Sequence, residues 1–254
     1  MRLGRATSEH GVFAVAEQPD GTLVPLEPGA AGAAPGRLVA PIVPGKIVAI
    51  GLNYLDHIRE TGMETPTRPL VFAKFPSAVI GPEEPIAIDA RLTERVDWEV
   101  ELAVVVGAPL RRADPAEAIA AVFGYTVAND VSARDLQFAD GQWVRGKSLD
   151  TTCPLGPVIV TADELGDPGA LRLTTRVNGE TVQDSSTSEM VFGVAELLSY
   201  CSHSFTLLPG DVLLTGTPWG CGEFMDPQRS LHPGDRVEVE IEGIGVLGNP
   251  VVAA

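Results

Sequence analysis

Residues 96–107 combine two patterns of hydrophobic and polar side chains, and they predict the central strand of the fold. The segment is rich in β-branched residues, contains no proline and ends at a glycine, which is typical of a strand. Because side chains alternate between the faces of a strand, Trp98 shares one face with four aliphatic residues. The other face begins with Glu99 and Glu101 and becomes apolar beyond them. A strand that is apolar on both faces is usually buried, so we expect both glutamates at the mouth of an interior.

These two glutamates raise the question of what balances their charge. Alternate residues of a strand lie roughly 7 Å apart at their Cα atoms, and two partly desolvated carboxylates at that distance repel each other. A hard cation bound by both carboxylates would remove the repulsion. The alternative is a strand end whose polar face is simply hydrated, and the strand alone leaves both interpretations open.

A helical pattern follows the short strand predicted at residues 46–51. Residues 52–60 have a helical composition, and Asn53 is a residue type that caps the start of a helix. His57 and Glu60 are three positions apart, so a helix places them on the same face. A carboxylate beside an imidazole raises its basicity and fixes its tautomer, which is how a general base is built. The alternative is a surface histidine beside a surface glutamate.

The rest of the pattern predicts short strands with few helices. Asp130 ends an apolar strand, at a position where ligand-binding residues commonly lie. Asn178-Gly179 is the strongest signal for a hairpin turn. Residues 61–69 hold Gly, Pro and Thr and predict a mobile loop that could close over a site. Further strands are expected at residues 11–15, 22–24, 70–75, 124–130, 151–160 and 171–182, and helices at residues 116–123 and 188–201.

A second row of glutamates has the spacing of the first but a different setting. Glu238, Glu240 and Glu242 alternate with aliphatic residues, which is the pattern of a strand with one face in water. We therefore interpret these three carboxylates as solvated surface.

The length of 254 residues accommodates one large β-rich domain with a small appendage. Residues 27–36 consist mostly of Ala, Gly and Pro, a composition that predicts a linker. We expect a small N-terminal unit and its linker at residues 1–42 and the main domain at residues 43–254.

Charge and composition exclude several classes of function. A net charge of −16 repels phosphate backbones, so we expect no nucleic acid partner. The sequence contains no apolar run of the ~20 residues that span a membrane, and the first residues lack the apolar core of a signal peptide. The three cysteines form no C-x-x-C pair, which favours a reducing cytoplasm over a disulfide framework or a structural zinc site.

Six segments, in this order, resemble the fumarylacetoacetate hydrolase family. Each alone is a weak signal, but together they run from about residue 46 to the C-terminus and are specific. The segments are Gly51-Leu-Asn-Tyr-Leu-Asp-His-Ile-Arg-Glu60, Val71-Phe-Ala-Lys-Phe75, Asp97-Trp-Glu-Val-Glu-Leu-Ala103, Gly124-Tyr-Thr-Val-Ala-Asn-Asp130 with Ser132-Ala-Arg-Asp135, Gly146-Lys-Ser148, and Thr215-Gly-Thr-Pro218.

The resemblance implies a β-rich α+β fold, a mixed β-sandwich or roll of the family's C-terminal-domain type with a few short helices. It also implies a homodimer, and a Mg²⁺ cofactor for which Mn²⁺ or Ca²⁺ can substitute. Carried over residue by residue, it gives metal ligands, a catalytic dyad, a lysine that lines the active site, and contacts to substrate. These are, in turn, Glu99, Glu101 and Asp130; His57 and Glu60; Lys147; and Arg134, Gln137 and Thr217. Lys74 matches a family position for which no chemical role is apparent.

The function implied by the resemblance is metal-dependent hydrolysis of a C–C bond in a small 2,4-dioxo acid, such as an acylpyruvate, in aromatic catabolism. Three carboxylates leave about half of an octahedral Mg²⁺ shell open for water or substrate oxygens, and a metal stabilises the enolate that forms when the bond breaks. Alternatives that use the same site are an isomerase or tautomerase of a 2-hydroxy-diene dioate and an oxaloacetate decarboxylase. An alternative of another class is a non-catalytic metal- or ligand-binding module.

The chain departs from the family after Thr217-Pro218, where a small residue and then Gly-Val-Gly are usual. Here the run is Trp219-Gly220-Cys221-Gly222. We expect Trp219 near the pocket, where it would narrow the pocket or stack on an unsaturated substrate. We interpret Cys221 as a small core residue rather than a nucleophile.

Overall fold

The structure is a computed structural model that describes residues 1–9, 11–26 and 34–254. Most of the predicted linker, residues 27–33, therefore lies outside the described residues. The strands are β1 (Arg2–Ser8), β2 (Gly11–Glu17), β3 (Leu23–Pro25), β4 (Leu38–Val39), β5 (Ile47–Gly51), β6 (Leu70–Lys74), β7 (Val79–Ile80), β8 (Ile86–Ile88), β9 (Val96–Asp97), β10 (Val100–Val106), β11 (Val122–Asn129), β12 (Ser132–Ala133), β13 (Cys153–Thr161), β14 (Arg172–Val177), β15 (Glu180–Ser186), β16 (Val212–Leu214), β17 (Arg236–Ile241) and β18 (Gly245–Ala253). The helices are α1 (Leu55–Thr61), α2 (Pro115–Ala120), α3 (Arg134–Ala139), α4 (Val144–Lys147), α5 (Ala162–Leu165) and α6 (Val194–Ser204).

Two packed sheets form the body of the protein. The larger sheet has the order β3-β2-β1-β13-β11-β10-β16-β5-β6, and the smaller one has the order β15-β14-β17-β18-β8. Most pairs are antiparallel, but β16–β5, β18–β8 and β13–β7 are parallel. Val100 and Leu102 of β10 lie in one buried cluster with Val237 and Val239 of β17, so the main core lies between the sheets. The prediction of a β-rich, mixed fold with few helices is confirmed.

The predicted central strand is confirmed as buried on both faces, but it is not continuous. Residues Val100–Val106 form β10 in the large sheet, and every one of them is buried. Val96–Asp97 form the separate strand β9, which pairs with β12. Trp98 and Glu99 lie between the two strands, where the chain exchanges one pairing partner for the other. The pattern of side chains does not contain this break because Trp98 is as buried as its neighbours.

Two predicted helix starts were wrong. Helix α1 begins at Leu55 after Tyr54, and the Asn53 side chain does not cap it. Asn53 instead donates to the backbone oxygens of Phe192 and Thr215 at 3.1 and 2.8 Å. The helix predicted at residues 188–201 begins only at Val194, because residues 187–189 form a 3₁₀ turn and Met190 pairs with Tyr54 in a β-bridge.

The start of α2 was predicted correctly. Asp114 caps it through the backbone N–H groups of Ala116 and Glu117, and Glu117 completes the capping box. The helix is shorter than predicted because β11 begins at Val122. In the described part of the chain, no helix is long and apolar enough to cross a membrane.

The N-terminal strands continue the large sheet. β1 pairs with β13 through Arg2 opposite Val160 and Leu3 opposite Ile159, and β2 and β3 follow it outward. The division into units at residues 1–42 and 43–254 stays a prediction.

Candidate metal centre and active site

Three buried carboxylates meet where β10 and β11 end beside each other. Strand pairing sets Val100 opposite Asn129, and the Asp130 N–H donates to the Glu99 carbonyl at 2.9 Å. Glu99, Glu101 and Asp130 each present an oxygen, and these three oxygens lie within 4.8 Å of one another. The structure therefore brings together the three residues predicted as metal ligands.

Cations hold two of the three carboxylates. Lys147 Nζ lies 2.6 Å from Glu99 Oε2 and 2.9 Å from Asp130 Oδ2. Arg134 Nη1 lies 2.7 Å from Glu99 Oε1. Asp130 Oδ1 forms a further ion pair with Lys74. Glu101 differs, because it accepts from the backbone N–H of Gly216 at 2.7 Å and, within the described ranges, has no cation at ion-pair distance.

The pKa values of the two glutamates are consequently shifted in opposite directions. Burial alone would raise the pKa of Glu99, but the charges of Lys147 and Arg134 outweigh burial and lower that pKa to about 2. Burial raises the pKa of Glu101 well above its ordinary value, and the negative charges of Asp130 and Glu99 raise it further. In the absence of a cation, Glu101 therefore favours its protonated form.

This donor set fits a hard divalent cation. Carboxylate oxygens are the ligands that Mg²⁺, Mn²⁺ and Ca²⁺ prefer, and such an ion would stabilise the charged form of Glu101, which burial and the neighbouring carboxylates disfavour. Glu99, Glu101 and Asp130 would hold the ion.

Helix α1 holds the predicted dyad. His57 Nδ1 lies 2.8 Å from Glu60 Oε2, and the second oxygen of Glu60 accepts from the backbone N–H of Gly220 at 2.8 Å. The rings of Phe224 and His57 form a T-shaped contact with their centroids 5.4 Å apart. His57 is buried, which excludes the alternative of a surface histidine.

One cleft joins the two groups. His57, Glu99, Glu101 and Lys147 all line it. The three predicted substrate contacts, Arg134, Gln137 and Thr217, line it as well. Its remaining wall is mostly apolar and consists of Ile50, Gly51, Leu52, Thr61, Met63, Phe72, Phe138, Trp143 and Phe224.

The predicted substrate contacts already have protein partners. Arg134 Nη1 donates to Gln137 Oε1 at 3.0 Å, and Thr217 Oγ1 accepts from Gln183 Nε2 at 3.0 Å. Thr61 and Met63 belong to the segment predicted as a lid and line the cleft. That this segment moves, and that the three residues bind substrate, stay predictions.

Sequence reasoning missed two residues that hold the charged groups in place. Lys74, which had no role, is buried, and its Nζ lies 2.7 Å from Asp130 Oδ1; it also donates to the carbonyl of Lys147. Asp97 accepts from Arg134 Nε at 2.9 Å and lies 2.8 Å from its Nη2. The signal for both was present, since each is a charged residue within an apolar segment that matches the family.

Gln183 is a third residue that the sequence did not reveal. Its Oε1 accepts from the Val100 N–H at 3.1 Å, between the two glutamates, while its Nε2 donates to Thr217 Oγ1 and to the carbonyl of Pro218, both at 3.0 Å. One buried amide therefore ties the carboxylate strand to the loop whose Gly220 N–H holds Glu60.

The unusual loop places Trp219 differently from expectation, whereas the interpretation of Cys221 as a small core residue is confirmed. Trp219 does not reach the cleft, because its indole N–H donates to the Asp184 carbonyl at 3.1 Å and the ring lies in a separate exposed groove. The prediction that it narrows the pocket was wrong. Cys221 is fully buried, and burial raises the pKa of its thiol well above the ordinary value, which argues against a nucleophile.

Comparisons with known proteins agree with this geometry. The family model described as fumarylacetoacetate (FAA) hydrolase C-terminal matches residues 46–252. A mitochondrial oxaloacetate tautomerase of Rattus norvegicus is 48% identical over 216 residues, which is 84% of this chain and 69% of the relative.

Solved structures show the same relationship. A fumarylacetoacetate hydrolase from Exiguobacterium antarcticum is 38% identical, with a TM-score of 0.92 over 100% of both chains. A 2-hydroxyhepta-2,4-diene-1,7-dioate isomerase from Mycobacterium marinum is 41% identical, with a TM-score of 0.82 over 100% of this chain and 98% of the other. The cytoplasmic location and the homodimer stay predictions. The chain belongs to the fumarylacetoacetate hydrolase family.

Proposed function

We propose that this protein catalyses proton transfer at the carbon next to the ketone of a small 2-oxo acid, a keto–enol tautomerisation or related isomerisation that depends on a divalent cation such as Mg²⁺. The observation that carries the proposal is the meeting of the carboxylate cluster and the His57–Glu60 pair on one cleft. A non-catalytic binding module would have no use for that pair.

Glu99, Glu101 and Asp130 are the residues that would hold the cation. When bound, it supplies a Lewis acid that draws electron density from the oxygens of a 2-oxo acid. Lys147 and Arg134 keep positive charge beside the same carboxylates, so an anionic substrate is not repelled even though the chain is acidic overall.

His57 is the base that takes and returns the proton. Glu60 accepts at Nδ1 and so fixes the tautomer that leaves Nε2 with its lone pair. Because Glu60 is itself held by the Gly220 N–H, the ring is fixed in orientation before a substrate arrives. Burial of His57 among Phe224 and the cleft wall limits competing contact with water.

Tautomerisation and isomerisation of this kind require only proton transfer by a base and an acid. The names of the rat tautomerase and of the Mycobacterium marinum dioate isomerase describe reactions of this class. Hydrolytic C–C cleavage is the second candidate, because the fumarylacetoacetate hydrolase from Exiguobacterium antarcticum superposes over the whole chain. In that reaction His57 would take a proton from a water that attacks the distal carbonyl.

A substrate panel with two readouts tests the proposal. Metal-free protein would be supplied with Mg²⁺ or Mn²⁺ and assayed with enol-oxaloacetate, a 2-hydroxy-diene dioate and acylpyruvates. Loss of enol absorbance without release of pyruvate, together with solvent deuterium exchange next to the ketone, is the expected result. Stoichiometric pyruvate from an acylpyruvate would instead favour hydrolysis, and no metal-dependent turnover of any of these acids would overturn both candidates.

A further inference from the structure

Cys221 brings a third kind of donor atom to the dyad. A ring nitrogen of His57, an oxygen of Glu60 and the sulfur of Cys221 lie within 4.8 Å of one another. The sulfur is weakly engaged, since its polar neighbours are the Pro218 carbonyl at 3.8 Å and Gln183 Nε2 at 3.9 Å. The proposed proton transfer does not use this thiol.

Nitrogen, oxygen and sulfur together form a donor set for zinc rather than for magnesium. Zn²⁺ binds Cys sulfur at about 2.3 Å and His nitrogen at about 2.0–2.1 Å, so the ligand atoms around it are spaced roughly 3.3 to 3.8 Å apart. Only small movements of the three side chains are needed to reach that spacing. The carboxylate cluster offers oxygens alone, which suits harder cations.

The backbone already holds these three donors in place. Helix α1 sets His57 and Glu60 three residues apart on one face. Gly220, directly before Cys221, donates its N–H to Glu60 at 2.8 Å. Because His57 lines the cleft, an ion can approach from the substrate side.

We propose that the dyad and Cys221 form a second, soft-metal site that binds Zn²⁺ and inhibits the enzyme. Binding replaces the contact between His57 and Glu60 by bonds to the ion and releases the thiol proton to solvent. The imidazole stays neutral, with its proton on the ring nitrogen that does not bind. Since His57 can then no longer accept a proton from substrate, zinc bound here stops turnover even when the carboxylate cluster holds Mg²⁺.

Cobalt spectroscopy tests this site independently of any activity. Protein saturated with Mg²⁺ would be titrated with Co²⁺ without added thiol, because a thiolate bound to Co²⁺ gives a near-ultraviolet charge-transfer band that oxygen ligands do not give. We expect this band to reach its maximum at one equivalent in the natural protein and to be lost in both Cys221→Ser and Cys221→Val. Cys201→Ala, which removes a buried thiol within helix α6, is the matched control and should keep the band.

The outcomes separate this proposal from the proposed function. Absence of the band in the natural protein, or its persistence in folded Cys221→Val, would overturn the second site whatever the activity. Circular dichroism checks that each variant is folded. Where turnover is measurable, Zn²⁺ should inhibit the natural protein and Cys201→Ala in the presence of excess Mg²⁺ but should inhibit Cys221→Val far less, and equal inhibition of all three would also contradict the site.

Discussion

Two rows of glutamates with the same spacing have opposite settings in this molecule. Glu99 and Glu101, beside and within β10, are buried, whereas Glu238 and Glu240 on β17 are partly exposed. The β17 row lies on the outer face of its sheet, where arginines pair with it, as Arg176 does with Glu240 at 2.5 Å. The β10 row faces a second apolar layer. The spacing of the glutamates alone therefore does not create a metal site. The groups that face each row decide whether its carboxylates are buried together or paired at the surface.

The largest expected effect on turnover comes from replacing one buried glutamate by glutamine, and the same replacement in the exposed row is its control. Glu101→Gln removes a proposed ligand, so turnover should fall roughly 10,000-fold, because a metal contributes several kcal/mol to transition-state stabilisation. The rise in melting temperature caused by Mg²⁺ should also disappear. Glu240→Gln is the matched control and should change neither turnover nor the Mg²⁺ effect, since exposed ion pairs contribute about 0–1 kcal/mol. Equal responses of the two variants would refute the distinction.

His57→Ala tests whether the buried row acts alone. Turnover should fall on the order of 1,000-fold, within the range that a general base contributes, while the shift in melting temperature with Mg²⁺ stays as in the natural protein. His203→Ala, on the exposed end of α6, serves as the control. Natural-rate turnover in His57→Ala would remove the dyad from the mechanism.

Gln183→Met tests the tie between the buried row and the dyad. We expect the free energy of unfolding to fall by about 2 kcal/mol, because the buried Val100 N–H loses its acceptor. We expect kcat to fall roughly tenfold with little change in KM, a split expected when catalytic groups are misplaced. Thr175→Val removes another hydrogen bond to Gln183 without touching the loop and should lower stability alone. If both variants lose only stability, Gln183 is purely structural.

The smallest expected effect concerns the metal-free protein. The pKa of Glu101 is raised in the folded state, so the folded protein holds a proton that the unfolded chain releases above its ordinary pKa of about 4.5. The resulting contribution to stability is complete below that pH and is lost as the pH rises through the folded value. In urea unfolding with chelator, Glu101→Gln should therefore gain stability relative to the natural protein as pH rises. A difference that does not change with pH would contradict the raised pKa.

Local patterns predicted the parts of the site that depend on neighbours in sequence. The alternation around Glu99 and Glu101 predicted a buried strand, and the spacing of His57 and Glu60 predicted their contact. The cap at Asp114 was found for the same reason, because a capping box lies within four residues.

Long-range contacts set the rest and left little local signal. Asn53 has the composition of a cap, yet its amide binds backbone atoms more than a hundred residues away. Trp219 faces an outer groove because its indole N–H reaches Asp184 on β15. Gln183 lies on the edge strand of the second sheet, and only the packing of the two sheets brings it beside Val100.

Gly220, between Trp219 and Cys221, decides how freely this loop can be redesigned. Gly220 has a φ of +95°, and a Cβ atom there would lie 2.1 Å from the Val182 carbonyl oxygen. No residue other than glycine therefore fits at position 220. The group that holds Glu60 is the backbone N–H of this glycine, which a side-chain substitution cannot remove. Position 219 is open to variation on the outer surface, and position 221 is enclosed beside the dyad. A mutant library across this loop should tolerate many substitutions at position 219 and none at position 220. At position 221 it should tolerate only small side chains.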